Sequence, residues 1–337
     1  MKVSFVIPVY NAESTIREAV ESALGQTYPA TEVIVIDDCS TDETVHVLDS
    51  IIDSRLRVLK SGENRGVAAA RNMGIGVSDA DLIACLDADD FAAPRRLELQ
   101  VSAFRQNHSA VLVCGAAVSR SAAGEWLSRD GSPSNPGAIA WALRFRNPVI
   151  TSTATFRRVA ALEAGGFPEA SCPSEDHALW LALVTSGEVV SLPDVLANRT
   201  IHSGSLTSLR SEEMEQKSTR ACIEAITELT GHDPSESAFR VLRHGAAPGQ
   251  TPVSVLEEAA NIWRAVFDTV QSQLAAPSQR RSAVRESLTE LRRLLRACPD
   301  QRFDLLRQTV GGRRLSLLGA VPSVEFLKLM RTVAEGR

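Results

Sequence analysis

The chain has 337 residues, is 44% hydrophobic and 23% charged, and carries a net charge of −5, a globular composition long enough for two lobes or for one domain with an extension. Its six cysteines, at 39, 85, 114, 172, 222 and 298, include no close pair, which argues against a zinc site or a disulfide framework and for a reducing, cytoplasmic setting. No run approaches the ~20 apolar residues of a membrane-spanning helix, and Lys2–Val9 is too short for a signal-peptide core.

Val3–Val9 reads as a first strand. Asn11 is placed to cap a helix whose apolar face is Ile16, Ala19, Val20, Ala23 and Leu24. Glu32–Ile36 is a second strand, closed by Asp37-Asp38. Thr41-Asp42-Glu43 opens a helix through Val45, Leu48 and Ile51, and Arg57–Leu59 is a short third strand. An alanine-rich helix is expected over 66–76. Leu82–Leu86 then forms an unbroken apolar run, the pattern of a strand covered on both faces. Alternation of strand and helix implies an α/β layer with a mostly parallel sheet, and ligands of such sheets bind at the carboxyl ends of the strands.

Past residue 110 the pattern changes. Val111–Val118 and Ile150–Phe156 look strand-like. The stretch between them, with Gly124, Gly131, Pro133 and Pro136, reads as a mobile loop. Arg157–Ala164 is helical and stops at Gly165-Gly166, a second helix begins near Glu175, and Val189–Leu192 is a short strand. Beyond 206 nearly everything is helical. Apolar stripes run through Val255–Val270, through Leu288, Leu291, Leu294 and Leu295, and through Val324–Val333. Such stripes are packing faces, against the body or a second subunit in a homodimer, or a peripheral contact at the inner face of a membrane. From 277 onward there are 13 basic and 6 acidic residues, against 23 and 35 before it. A basic tail on an acidic body suits an anionic partner surface, an intramolecular contact or a solvated helix face.

Chemistry concentrates in three acidic clusters: Asp37-Asp38, Asp87 to Asp90, and Glu175-Asp176. Asp87, Asp89 and Asp90 arrive together at the end of a buried strand, where like charges repel and a divalent metal carrying a diphosphate would relieve them. Each cluster also has a plainer reading, as a helix cap or a dipole partner. The chain lacks a P-loop, a G-x-G-x-x-G after the first strand and a G-x-S-x-G elbow, which weakens nucleoside triphosphatase, dinucleotide oxidoreductase and serine hydrolase readings.

Six segments in order carry a resemblance: Val6-Ile7-Pro8-Val9-Tyr10-Asn11; Val35-Ile36-Asp37-Asp38-Cys39-Ser40-Thr41-Asp42; Asn64-Arg65-Gly66 through Arg71-Asn72; Leu86-Asp87-Ala88-Asp89-Asp90; Gly165-Gly166-Phe167; and Glu175-Asp176 with Leu179-Trp180-Leu181. Together they resemble a family 2 glycosyltransferase of the GT-A fold over residues 1–205, and leave 206–337 unaccounted for. The resemblance implies a Rossmann-like mixed sheet flanked by helices, with a nucleotide-sugar half over 1–100, an acceptor half over 101–205, and a mostly helical C-terminal region over 206–337.

It further implies inverting transfer from a nucleotide sugar, a UDP-sugar by expectation, to a hydroxyl of a saccharide or lipid-linked acceptor in polysaccharide biosynthesis, with Mn or Mg as cofactor and no nucleic-acid partner. Pro8, Tyr10 and Asn11 would line the nucleotide pocket, and Asp38 would accept from the base. Arg71 would contact the base or diphosphate, and Asp87 would sit near the ribose. Asp89 would hold the metal, with His202 as a further metal or diphosphate contact, and Asp176 would be the general base. Asp90 and Glu175 keep open roles. Two positions depart from the family pattern. Cys39 stands where Gly is usual, and a left-handed turn there would strain it by about 1 kcal/mol. Ala182 stands where a basic residue is frequent. The rival readings are a nucleotide-sugar-binding module without transfer and, lower, a sugar nucleotidyltransferase, which would want a Gly-rich phosphate loop where this chain has Val9-Tyr10-Asn11-Ala12.

Overall fold

The computed structural model describes residues 1–30, 32–121, 123–201, 210–245, 251–274 and 276–296. Two compact units emerge, and they are not consecutive along the chain. The first is Met1–Ser134 with Pro148–Ser218; the second is Asn135–Asn147 with the chain from Thr219 on.

The first unit is built on one mixed sheet. Val3–Val9 (β1), Glu32–Asp37 (β2), Leu56–Lys60 (β3) and Leu82–Cys85 (β4) run parallel, in the spatial order β3-β2-β1-β4. The sheet continues through Thr155–Arg157 (β8), antiparallel to β4, then Ala110–Ser121 (β6) and Glu188–Ile201 (β9). Phe91–Ala92 (β5) pairs with β9, and Trp126–Asp130 (β7) forms a hairpin on β6. β1 and β4 are buried along their whole length because both faces are covered, as the unbroken apolar run of β4 implies; in β1 only Ser4 interrupts the run.

On one face Phe5, Ile7, Val33 and Val35 pack against Ile16, Ala19, Val20 and Ala23 of Ile16–Leu24 (α1). On the other, Ile34 and Ile36 meet Ala70 of Val67–Val77 (α3). Thr44–Asp49 (α2) and Arg96–Gln106 (α4) complete the flanking helices of this half. Gly74 lets α3 lie close to β1, since a Cβ there would come within 2.5 Å of a Val6 methyl. Arg158–Glu163 (α6) ends on Gly165 and Gly166, both at positive φ, with the Gly166 and Gly165 N–H groups closing on the carbonyls of Ala161 and Leu162. Glu175–Ser186 (α7) follows.

The second unit is helical. Pro136–Leu143 (α5) joins Ser211–Thr230 (α8, which starts in the first unit), Glu236–His244 (α9), Val253–Gln273 (α10) and Pro277–Arg296 (α11). Asn135 caps α5 by accepting from the Gly137 N–H at 2.9 Å, with Pro136 at the first helical position. Trp141 lies edge-on to Trp263, which stacks on Phe267, while Phe145 stacks on Phe239. Trp263 Nε1 donates to the Ser287 carbonyl at 3.0 Å, and Arg146 pairs with Glu286. No helix among the described residues is long and apolar enough to cross a membrane.

Several expectations change. The expected divide at 205 falls inside the first unit, whereas residues 135–147 group with the helices, because α5 is apolar on nearly every side and buries itself among them. The presumed mobile loop over 119–136 contains β7 and the start of α5. Asn11 does not cap α1. The helix begins at Ile16, and Asn11 Oδ1 instead accepts from the Thr41 N–H at 2.8 Å. Residues 151–153 form a 3₁₀ turn ahead of a three-residue β8, and the last strand runs from Glu188 to Ile201 rather than stopping at Leu192. His202 and the apolar stripe at 324–333 lie outside the described residues.

Candidate active site

The carboxyl ends of β1, β2 and β4 share one edge of the sheet, and the loops that leave them carry the acids. Pro8 is buried two residues past the last β1–β4 register pair, Val6 with Cys85, where its missing N–H leaves no gap in the β1–β4 ladder. Tyr10 is half exposed at 50%, and Asn11 beside it holds φ at 51°. The Asn11 N–H donates to Ser40 Oγ at 3.0 Å, which ties the β1 loop to the β2 loop. In that loop Cys39 has φ of 69°, so the left-handed turn is present and a thiol-bearing residue occupies it.

Asp38 is buried and accepts from two backbone groups, the Arg65 N–H at 3.0 Å and the Gly66 N–H at 2.7 Å, immediately before α3. It therefore anchors the start of that helix. Each carboxylate oxygen can accept more than one hydrogen bond, so this anchoring leaves capacity for a base N–H.

α3 carries Arg71 inward. The side chain is only 5% exposed and bridges two carboxylates from distant parts of the chain: Asp87 Oδ1 at 2.7 Å and Glu175 Oε1 at 2.6 Å. Its guanidinium also lies 5.3 Å from the centre of the Phe167 ring. Burial alone would lower the Arg71 pKa, but the two carboxylates outweigh burial and push it up. Burial pushes the Glu175 carboxyl up; Arg71 opposes that shift and Asp176 adds to it. Arg71 thus forms an internal bridge between the ends of β4 and α7.

Asp87, Asp89 and Asp90 follow β4 as the sequence implies. The Asp87 N–H donates to Ser152 Oγ at 3.2 Å, and Asp90 Oδ1 accepts from the Thr200 N–H at 3.1 Å on β9. Burial, with the charges of Asp87 and Asp89, pushes the Asp90 carboxyl up to about 7. Asp176 sits in the first turn of α7, half-buried, and accepts from Thr151 Oγ1 at 2.7 Å and from the His177 N–H at 2.6 Å. Asp87, Arg71, Glu175 and Asp176 are therefore linked through side chains within one unit, with Asp90 attached through the 151–153 turn and the end of β9. Thr151, Ser152, Asn72 and Phe167 escaped the sequence reading as site residues. A run of three hydroxyl residues where a strand was expected to begin was the available signal for the first two.

Among the described residues no three His, Cys, Asp or Glu side chains gather as a metal cage. The donors at the end of β4 are hard carboxylate oxygens. Mg²⁺ and similar ions are commonly held by one or two carboxylates together with substrate phosphates, so this donor set fits a metal that arrives with a diphosphate.

A mixed sheet flanked by helices, with acids on its carboxyl edge and a helical C-terminal part, is the architecture of a GT-A glycosyltransferase. Residues 4–166 match the family described as glycosyl transferase family 2. An uncharacterized glycosyltransferase of Haemophilus influenzae is 42% identical over 32% of this chain and 43% of its own length. WfaP of Escherichia coli, a UDP-Glc:alpha-D-GlcNAc-diphosphoundecaprenol beta-1,3-glucosyltransferase, is 29% identical over 64% of this chain and 84% of its own. The crystal structure of Staphylococcus aureus TarS 1-349 in complex with UDP-GlcNAc superposes with a TM-score of 0.57 at 18% identity, covering 99% of this chain and 91% of that one. The chain spans less than half of the first relatives it matches, 43% of the Haemophilus protein and 28% of the succinoglycan biosynthesis protein ExoO of Rhizobium meliloti.

Proposed function

We propose that the protein transfers one sugar from a UDP-sugar, with inversion and with a divalent metal, to a hydroxyl of a saccharide or lipid-linked acceptor in the assembly of a polysaccharide. The observation that carries this reading is the meeting of acids from three distant segments at one sheet edge, with Asp87 and Glu175 joined through Arg71. WfaP and WfgD of Escherichia coli, both named as UDP-Glc-dependent enzymes acting on a diphosphoundecaprenol-linked sugar, support the donor and acceptor classes.

In this reading Pro8, Tyr10 and Asn11 border the nucleotide, Asp38 recognises the base, and Asp87 approaches the ribose. Asp89 would hold Mg²⁺ or Mn²⁺, which neutralises charge on the departing diphosphate when bound. Asp176 takes the proton of the attacking acceptor hydroxyl. Thr151 fixes one of its oxygens, which leaves the carboxylate oriented for that transfer. General-base assistance of this kind contributes typically ~10²–10⁴-fold.

Two substitutions test the assignment. With a panel of nucleotide sugars and Mn²⁺ or Mg²⁺, the wild type should show metal-dependent thermal stabilisation and release nucleoside diphosphate. Asp89→Asn should lose the metal-dependent part of the shift while its ligand-free melting stays within a few degrees of wild type. Asp176→Asn should keep the shift and lose transfer by at least ~10²-fold. If a donor stabilises the wild type and no diphosphate is ever released, the protein is a binding module instead.

A further inference from the structure

We propose that Arg71 is a positioning residue: through Glu175 it fixes the Asp176-bearing end of α7 against the Asp87-bearing end of β4. This rests on the transfer reading above and deepens it.

α3 reaches two distant parts of the chain. Arg71 uses both terminal nitrogens on carboxylates, Nη2 on Asp87 and Nη1 on Glu175, which lie 16 and 104 residues away in sequence. At 5% exposure, with both terminal nitrogens engaged and Nε buried, the guanidinium offers little surface to a donor. The next residue repeats the pattern: Asn72 donates to the Phe167 carbonyl and accepts from the Phe167 N–H, both at 2.8 Å, and Phe167 in turn lies against the Arg71 guanidinium. Two successive residues of one helix thus hold the loop before α7 and the first residue of α7 itself.

Glu175 is covalently next to Asp176, so any slack in the Arg71–Glu175 bridge is passed to the base. Arg is suited to this task because its planar fork presents two donors in a fixed relation, which Lys does not. A guanidinium kept charged between carboxylates also resists loosening, since breaking one contact leaves a buried charge unpaired.

The test is a double-mutant cycle of Arg71→Met, Glu175→Gln and the pair, with Arg71→Lys alongside, read by kcat, donor KM and the affinity for UDP with Mg²⁺. Displacements near 1 Å can lower rates by ~10²-fold, so Arg71→Met and Glu175→Gln should each lower kcat by roughly that factor. Donor KM and UDP affinity should stay within about threefold, and the double variant should be about as slow as Arg71→Met alone. A raised KM and weakened UDP binding in Arg71→Met at retained kcat, with Glu175→Gln unaffected, would make Arg71 a donor contact and overturn the proposal. If Arg71→Met does not fold, Glu175→Gln and Arg71→Lys decide by the same split: a kcat fall at constant KM upholds the proposal, and an unchanged kcat overturns it. A wild type that binds UDP but turns over no nucleotide sugar sinks the transfer reading. The bridge is then read from urea unfolding of the same cycle, where coupled losses keep it and additive losses overturn it.

Discussion

At the scale of single residues, the site pairs backbone strain with buried acids. Asn11 and Cys39 both hold positive φ in loops that face each other across the Asn11 contacts to Ser40 and Thr41. For Cys39 this conformation costs on the order of 1 kcal/mol, which glycine would avoid. Asp90 is the clearer case. Its folded carboxyl, at about 7, lies well above that of an unfolded Asp near 4, so the folded chain keeps a proton that the unfolded chain has released. Its contribution to stability is therefore most favourable below about pH 4 and is lost as pH rises toward 7. In chelator-containing buffer, Asp90→Asn should gain stability relative to wild type across that window, with a slope approaching about 1.4 kcal/mol per pH unit. A stability difference that stays flat from pH 4 to 7 in urea titrations would show that Asp90 is ionised throughout.

At the scale of elements, α3 governs the site by lying close to the sheet. Gly74 faces Val6, and the three alanines before Arg71 keep the helix thin. Gly74→Ala should push the helix outward and destabilise by about 1–3 kcal/mol, measured by urea unfolding, because the added methyl meets a branched side chain on β1. Much of this layer was legible in sequence. β1, β2 and β4 are mostly apolar runs, α1 shows helical spacing, and the acids at the strand ends stand where α/β sheets hold ligands. Other elements were not legible, for reasons of chemistry. β7 is exposed along most of its length, so burial writes no alternation into Trp126–Asp130. α5 opens with Pro and Gly, which read as loop punctuation although Pro suits the first helical turn. Arg71 stood out in the sequence, but its partners did not. Asp87 and Glu175 reach it from the end of β4 and the start of α7, 16 and 104 residues away, and no spacing along the chain encodes that meeting.

At the scale of the whole molecule, the helical unit is not a tail. α5 supplies Ile139, Trp141 and Leu143 to it from the middle of the chain, all fully buried. Removal of everything after residue 218 should leave these side chains without the aromatic partners Trp263, Phe267 and Phe239 and expose a large apolar surface. The truncated protein should be recovered mainly as aggregate by size-exclusion chromatography; a monodisperse, cooperatively folding fragment would show that α5 can be buried by the sheet unit alone. The full chain, by contrast, passes into the helical unit at 135, leaves it at 147 and returns after 218. Any chimaera that borrows this unit from a relative must import two separate stretches of sequence together, because a graft of the final segment alone would meet a foreign α5. Substitutions in the two stretches are thereby bound to be accepted or rejected as a set.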